Sequence, residues 1–207
     1  MKTYRKLLCA AVVAFLCIVA GAQNVSCHFG VIGNLGINEF KDFKNLNNAS
    51  QLGGGAGISL LLKVPCYFSI QPTVKYEFTK FRVPQAEYGS AIVEQQVVSV
   101  PVPIQWGPDL GILRPFVEVV PFANFNLDGK WRREEVKGGW ANARNFLSTT
   151  QLGVGLGGGI ELWKLQISAR YNWLFGDWQQ IKASGNPFNN ISGKRSGITV
   201  SVAFFFN

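Results

Sequence analysis

Beyond residue 23 apolar and polar residues alternate along the chain with a period of two. The clearest stretch runs from Phe68 to Thr79. Phe68, Ile70, Pro72, Val74, Tyr76 and Phe78 fall on one face; Ser69, Gln71, Thr73, Lys75, Glu77 and Thr79 fall on the other. Successive side chains of a strand point to opposite faces, so the pattern predicts a strand with one apolar and one polar face. Gln166–Phe175 repeats it, with Ile167, Ala169, Tyr171, Trp173 and Phe175 opposing Gln166, Ser168, Arg170, Asn172 and Leu174. Gly197–Asn207 sets Ile198, Val200, Val202, Phe204 and Phe206 against Thr199, Ser201, Ala203 and Phe205.

Five further strands follow the same rule: Phe29–Ile37, Gly54–Leu62, Gln95–Trp106, Pro115–Leu127 and Thr150–Glu161. Each strand has about 9–13 residues, against 5–6 in a typical globular protein. That is the length needed to cross a bilayer at a tilt. The connections are expected to alternate long and short, at roughly 16, 5, 15, 8, 22, 2–3 and 20 residues, as in membrane barrels with short periplasmic turns and long external loops. Eight strands with both termini periplasmic use every element. In this topology Phe68, Trp106, Phe204 and Phe206 come at one end of the apolar faces. Tyr76, Phe78, Phe125, Trp173 and Phe175 come at the other, with aliphatic residues between. Two aromatic girdles around an aliphatic band suit a membrane with two interfaces. The expected fold is therefore an eight-stranded antiparallel up-and-down transmembrane β-barrel.

The segment before the first strand reads as a leader. Lys2, Arg5 and Lys6 precede the apolar run Leu7–Val19, and Ala20-Gly21-Ala22 has the form of a signal-peptidase site. The expected division is a signal peptide over 1–22 and the barrel over 23–207. Removing the three leader cations lowers the formal net charge from +8 to +5. Charged residues make up only 15% of the chain, where about 25% is usual. Nucleic acid is not a sensible partner for an exported barrel, so the basic balance carries no such implication.

Several stretches resemble a known family. They are Ser69-Ile70-Gln71-Pro72 with Tyr76, the VSVPVP run Val98–Pro103, FVEVVPF over Phe116–Phe122, GVGLGGGIEL over Gly153–Leu162, and SARYN over Ser168–Asn172. In this order and spacing they resemble the small outer-membrane barrels of the PorT-like type, related in shape to the OmpA transmembrane domain. The second proline of the fourth strand, Pro103 beside Pro101, departs from that pattern. The resemblance implies a bacterial outer-membrane barrel. The family is functionally mixed, so it carries over no catalytic or binding residues.

Four charged residues, Lys75, Glu77, Glu118 and Arg170, fall on inward faces. An eight-stranded barrel is just wide enough for side chains to fill, so these charges are expected to pair as a lumen network. Cys27 and Cys66 flank the periplasmic rim and form a candidate disulfide in an oxidising compartment. The third external loop, Asp128–Ser148, carries Lys130, Trp131, Arg132, Arg133, Trp140 and Arg144 and is a candidate site for anionic lipopolysaccharide or glycan. The glycines from Gly153 to Gly159 have no following Walker Lys-Ser/Thr and no helix, so they are read as relief of crowding inside a narrow barrel. His28 is the only histidine and stands at the periplasmic start of strand 1. No catalytic, metal or cofactor site is expected. The partners would be outer-membrane lipids and other cell-envelope proteins. The leading expectation is a non-enzymatic structural or surface-binding barrel. The alternatives are a component of an export machinery, a barrel-embedded lipid-modifying enzyme, and a soluble lipocalin-like carrier. The last would place apolar residues inside and polar ones outside.

Overall fold

A computed structural model describes residues 25–40, 50–64, 67–86, 89–133, 141–142, 149–175 and 195–206. The described strands are β1 (Ser26–Phe40), β2 (Ser50–Val64), β3 (Phe68–Ile70), β4 (Thr73–Ala86), β5 (Gly89–Pro101), β6 (Ile104–Trp106), β7 (Leu113–Arg133), β8 (Ala141–Asn142), β9 (Thr150–Leu162), β10 (Leu165–Phe175) and β11 (Arg195–Phe206). All are antiparallel, and no helix occurs among the described residues.

Two of the breaks mark prolines rather than separate strands. Leu62 pairs with Ile70 and Ser59 with Thr73, so β3 and β4 keep one register across Gln71-Pro72. In the same way β5 and β6 keep one register against β7 across Val102-Pro103. Proline has no N–H to give to the ladder, but neighbouring groups still bond across both gaps. Gln71 N donates to Pro103 O at 2.8 Å, and Leu60 N donates to Pro72 O at 3.0 Å. Counting β3/β4 and β5/β6 as one stave each leaves eight staves, with β8 a short appendage on β7. The eighth pairing, β1 with β2, closes the circuit.

The stagger of the closed sheet follows from the register. A path from Asn124 on β7 passes through Ser99, Lys75, Gly57, Ile32, Ala203, Gln166 and Glu161 and returns to β7 at Arg114. The return point lies ten residues before the start. With a rise of about 3.3 Å per residue and strands about 4.8 Å apart, that shear tilts the strands by roughly 40°. An 11-residue strand at this tilt spans about 27 Å along the axis, close to the roughly 25 Å apolar band of membrane barrels.

The inside and outside have the reverse of a soluble protein's polarity. Buried positions are mostly polar or charged, among them Thr73, Lys75, Ser99, Gln105, Glu118, Arg170 and Ser201. Exposed positions include Val31, Leu35, Val74, Val119, Leu156, Val200 and Val202. At one end the outward ring includes Phe29, Phe68, Trp106, Phe204 and Phe206; at the other it includes Tyr76, Phe78, Phe125 and Phe175. Phe68 pairs directly with Trp106, and the Phe29 and Phe206 rings stack at 6.3 Å. The protein is an eight-stranded antiparallel up-and-down β-barrel of the transmembrane type.

Strand ends differ from the expected boundaries. The connection of about 15 residues expected after the third strand is two residues long, because β4 runs to Ala86 and β5 starts at Gly89. Lys80 there pairs with Glu94 at 3.1 Å across the ladder. The supposed loop from Asp128 is also strand as far as Arg133, and β8 folds back onto Lys130 and Trp131. Past the apolar band the outward residues become charged, as at Lys80 and Lys130, while Val93 stays buried on the inner face. Alternation then loses its apolar sign while the ladder continues. A bulge at Leu127 marks the transition: Gln96 pairs with Asp128 but Val97 with Asn126.

Candidate functional site

The turn end of the barrel is the one joined through Tyr67, residues 107–112 and Trp163-Lys164; the loop end is the opposite one. In the turn-end half the lumen is closed twice. Ile32, Leu61, Ala203 and Phe205 form an apolar cluster on one side. Phe205 lies against Gly30, where a Cβ would meet its Cδ1 at 2.6 Å.

The other side is a continuous polar chain. Arg114 Nη1 donates to Glu161 Oε2 at 3.1 Å and Nη2 to Ser69 Oγ at 2.6 Å. Ser69 donates to Gln105 Oε1 at 3.0 Å, and Gln105 Nε2 donates to Gln71 Oε1 at 2.8 Å. Gln71 donates to Ser59 at 2.9 Å, and Ser59 shares a hydroxyl–hydroxyl bond of 2.9 Å with Thr73. Lys63 donates to the second oxygen of Glu161. The guanidinium of Arg114 also lies 5.6 Å over the Phe116 ring. A buried charge is costly unless paired and hydrogen-bonded; Arg114 and Glu161 meet both conditions.

The four charges expected as a lumen network sit higher. Lys75 Nζ donates to Glu77 Oε1 at 2.7 Å, and Asn34 Nδ2 donates to the same oxygen at 3.0 Å. Arg170 Nη2 donates to Ser201 Oγ at 3.0 Å, and its Nε lies 3.7 Å from Glu118 Oε1. Gln105 Nε2 bonds the other oxygen of Glu118 at 3.3 Å, which ties this group to the turn-end chain. The structure thus brings all four into the lumen, as two adjacent pairs.

Sequence reasoning missed Arg114, Glu161 and Lys63. Parity would have found the first two. Arg114 shares the face of Glu118, four residues on, and Glu161 shares the face of Gln151. A strand start at Pro115 leaves Arg114 in a turn, whereas the ladder begins with Leu113 against Leu162.

The glycines of β9 do relieve crowding. A Cβ on Gly153 would lie 2.3 Å from Cζ of Phe122, and one on Gly157 would lie 2.2 Å from the Ala169 carbonyl oxygen.

Of the candidate disulfide pair, Cys27 is an exposed free thiol. It shares the outward parity of Phe29 and Val31 and pairs with Leu62 at the turn end. Cys66 lies outside the described residues. Of the candidate external loop, Lys130 is exposed and belongs to β7, together with the backbone of Trp131, Arg132 and Arg133. Trp140 and Arg144 lie outside the described residues, as does the leader. His28 lies at the turn end, opposite Leu61. Among the described residues no group of three His, Cys, Asp or Glu is placed to hold a metal.

No protein-family model and no curated protein matches the chain. Solved structures do. Neisserial surface protein A is 13% identical, with a TM-score of 0.48, over 89% of this chain and 100% of its own. The N-terminal β-barrel domain of Pseudomonas aeruginosa OprF is 12% identical, with a TM-score of 0.42, over 86% and 97%. The attachment invasion locus protein Ail of Yersinia pestis, solved with the heparin analogue sucrose octasulfate, is 9% identical, with a TM-score of 0.40, over 87% and 97%. The solved structures this chain is similar to are thus small β-barrels.

Proposed function

We propose that the chain is an integral barrel of a bacterial outer membrane. In this reading it is a structural and surface-binding protein without catalytic activity, and its loop end faces the cell exterior. The observation that carries the reading is the inverted polarity: Val74 and Val200 stand exposed mid-strand while their neighbours Lys75 and Ser201 are buried. An aqueous solvent does not select that arrangement, whereas a bilayer around a polar-filled lumen does. The paired charges and the Phe205 cluster fill the turn-end half, which argues against a wide solute pore. The cations and tryptophans between Lys130 and Arg144 supply the chemistry for anionic lipopolysaccharide or glycan at the surface.

The test is a pair of adjacent substitutions. Val200→Arg puts a charge on the lipid face, at a cost of about 2–4 kcal/mol near the midplane; Ser201→Asn stays within the polar filling. Membrane assembly, followed by heat-modifiable migration of the folded barrel in membrane fractions, should fall for Val200→Arg alone. A protein that is soluble without detergent and tolerates Val200→Arg would overturn the reading.

A further inference from the structure

Among the described residues, the loop-end half of the lumen is not filled. Above the floor made by Lys75, Glu77 and Arg170 lies an empty volume of about 640 Å³, its open mouth included. It has room for roughly 5–8 water molecules, about the size of one sugar ring.

The lining says what chemistry would fill it. Of the three charges in the lining, Lys75 sits on Glu77 at 2.7 Å, and Arg170 lies 3.7 Å from Glu118, which is buried outside the lining and offsets its charge. No net charge is left over to draw in an ion. The walls carry amides instead. Gln95 is 1% exposed, and its Nε2 has no hydrogen-bond partner; Asn124 Oδ1, in the same lining, has none either. Buried amide groups in folded proteins are nearly always bonded. An unmet donor and an unmet acceptor in one cavity match hydroxyl groups, each of which both donates and accepts. The Phe122 ring adds an apolar plate to the lining, in space that Gly153 leaves open.

We propose that this chamber binds a small neutral polyhydroxylated molecule of about monosaccharide size. The site is built from lumen side chains of the described strands. It depends on the barrel fold alone, so its failure and the failure of the membrane reading are distinguishable.

The test uses the full chain folded in phosphocholine micelles, which carry no sugar headgroup. Glucose and glycerol are the neutral probes, and inorganic phosphate is the charged one. Binding is read by calorimetry and by the side-chain amide resonances of Gln95 and Asn124. Glucose should bind saturably and shift both resonances, while phosphate should do neither. Gln95→Leu should weaken glucose binding by tenfold or more, and Glu94→Ala, at an outer strand end, should leave it unchanged. If Gln95→Leu does not fold, Thr79→Val in the same wall is expected to weaken binding in its place. A chamber that responds to neither glucose nor glycerol holds water only, which overturns the proposal. So does phosphate binding as tightly as glucose, or a folded Gln95→Leu that binds glucose with unchanged affinity.

Discussion

In the turn-end half of the lumen the polar side chains form one bonded chain from Glu161 to Thr73. In the loop-end half, Gln95 and Asn124 border empty space with polar atoms unpaired. Both halves are built from the same strands and the same residue types. They differ in reach. Arg114 and Gln105 are long enough to bridge several staves and consume each other's donors and acceptors. In the upper half Gly153 and Gly155 contribute no side chain, and the charges pair close to the floor. A narrow barrel can therefore be nearly solid at one end, with a gap of about one water beside Gln71 and Gln166, and a cup at the other. Stability is expected to reside in the first and adaptability in the second.

The sharpest way to break that contrast is to cut each half at one carboxylate. Glu161→Ala strands both Arg114 and Lys63. Removing one partner of a buried ion pair costs about 3–5 kcal/mol. Glu77→Ala strands Lys75 beside an open cavity where water can enter, so its cost should be clearly smaller. Urea unfolding of the two variants in the same detergent measures both. Equal losses would show that the two halves are equally rigid.

A second comparison uses β9 alone. Gly157→Ala drives a Cβ into the Ala169 carbonyl, and backbone cannot step aside, so overpacking of about 1–3 kcal/mol is expected. In Gly155→Ala the new Cβ meets Asn172 Oδ1 at 2.6 Å. That side chain lines the chamber and can swing into it, so the change should cost less than Gly157→Ala in the same titration. The reverse order would mean that the chamber is not free space.

The contrast between the halves is only partly legible in the sequence. Strand identity, face and number follow from period-two alternation, because the bilayer and the lumen impose opposite demands on adjacent residues. Where those demands end, as at Lys80 and Glu94, strands and loops look alike, and the hairpin β4–β5 reads as a loop. The lumen charges Lys75, Glu77, Glu118 and Arg170 are visible by parity, and the same parity reaches Glu161 at the end of the sixth expected strand and Arg114 one residue before the fifth. Their pairing depends on β7 meeting β9, and the cup depends on a shear of ten residues that sets Gln95, Asn124 and Asn172 around one space. No local pattern encodes that register.

A smaller effect is expected on the outside. The Lys80–Glu94 pair is partly exposed near the loop end. Exposed pairs contribute about 0–1 kcal/mol. Glu94→Ala should therefore shift the urea midpoint little, and less than Glu77→Ala. A loss as large as that of Glu161→Ala would mean that this strand extension, and not the turn-end network, holds the barrel together.

The smallest expected change is the most informative, because its sign differs from the others. Gln95 keeps a buried amide with an unmet donor, and an unsatisfied buried polar group costs about 1–3 kcal/mol unless water or a ligand meets it. In Gln95→Leu that group is gone and an apolar side chain of similar size takes its place. Without ligand the variant should unfold at the same urea concentration as the parent or a slightly higher one. In the turn-end chain the corresponding change, Gln105→Leu, removes bonds to Gln71 and Glu118 and one from Ser69, and should destabilise. A residue whose removal leaves the fold as stable or more so is held there by something other than stability. If Gln95→Leu instead destabilises as much as Gln105→Leu, the Gln95 amide is bonded in solution, and the upper chamber serves stability just as the lower half does.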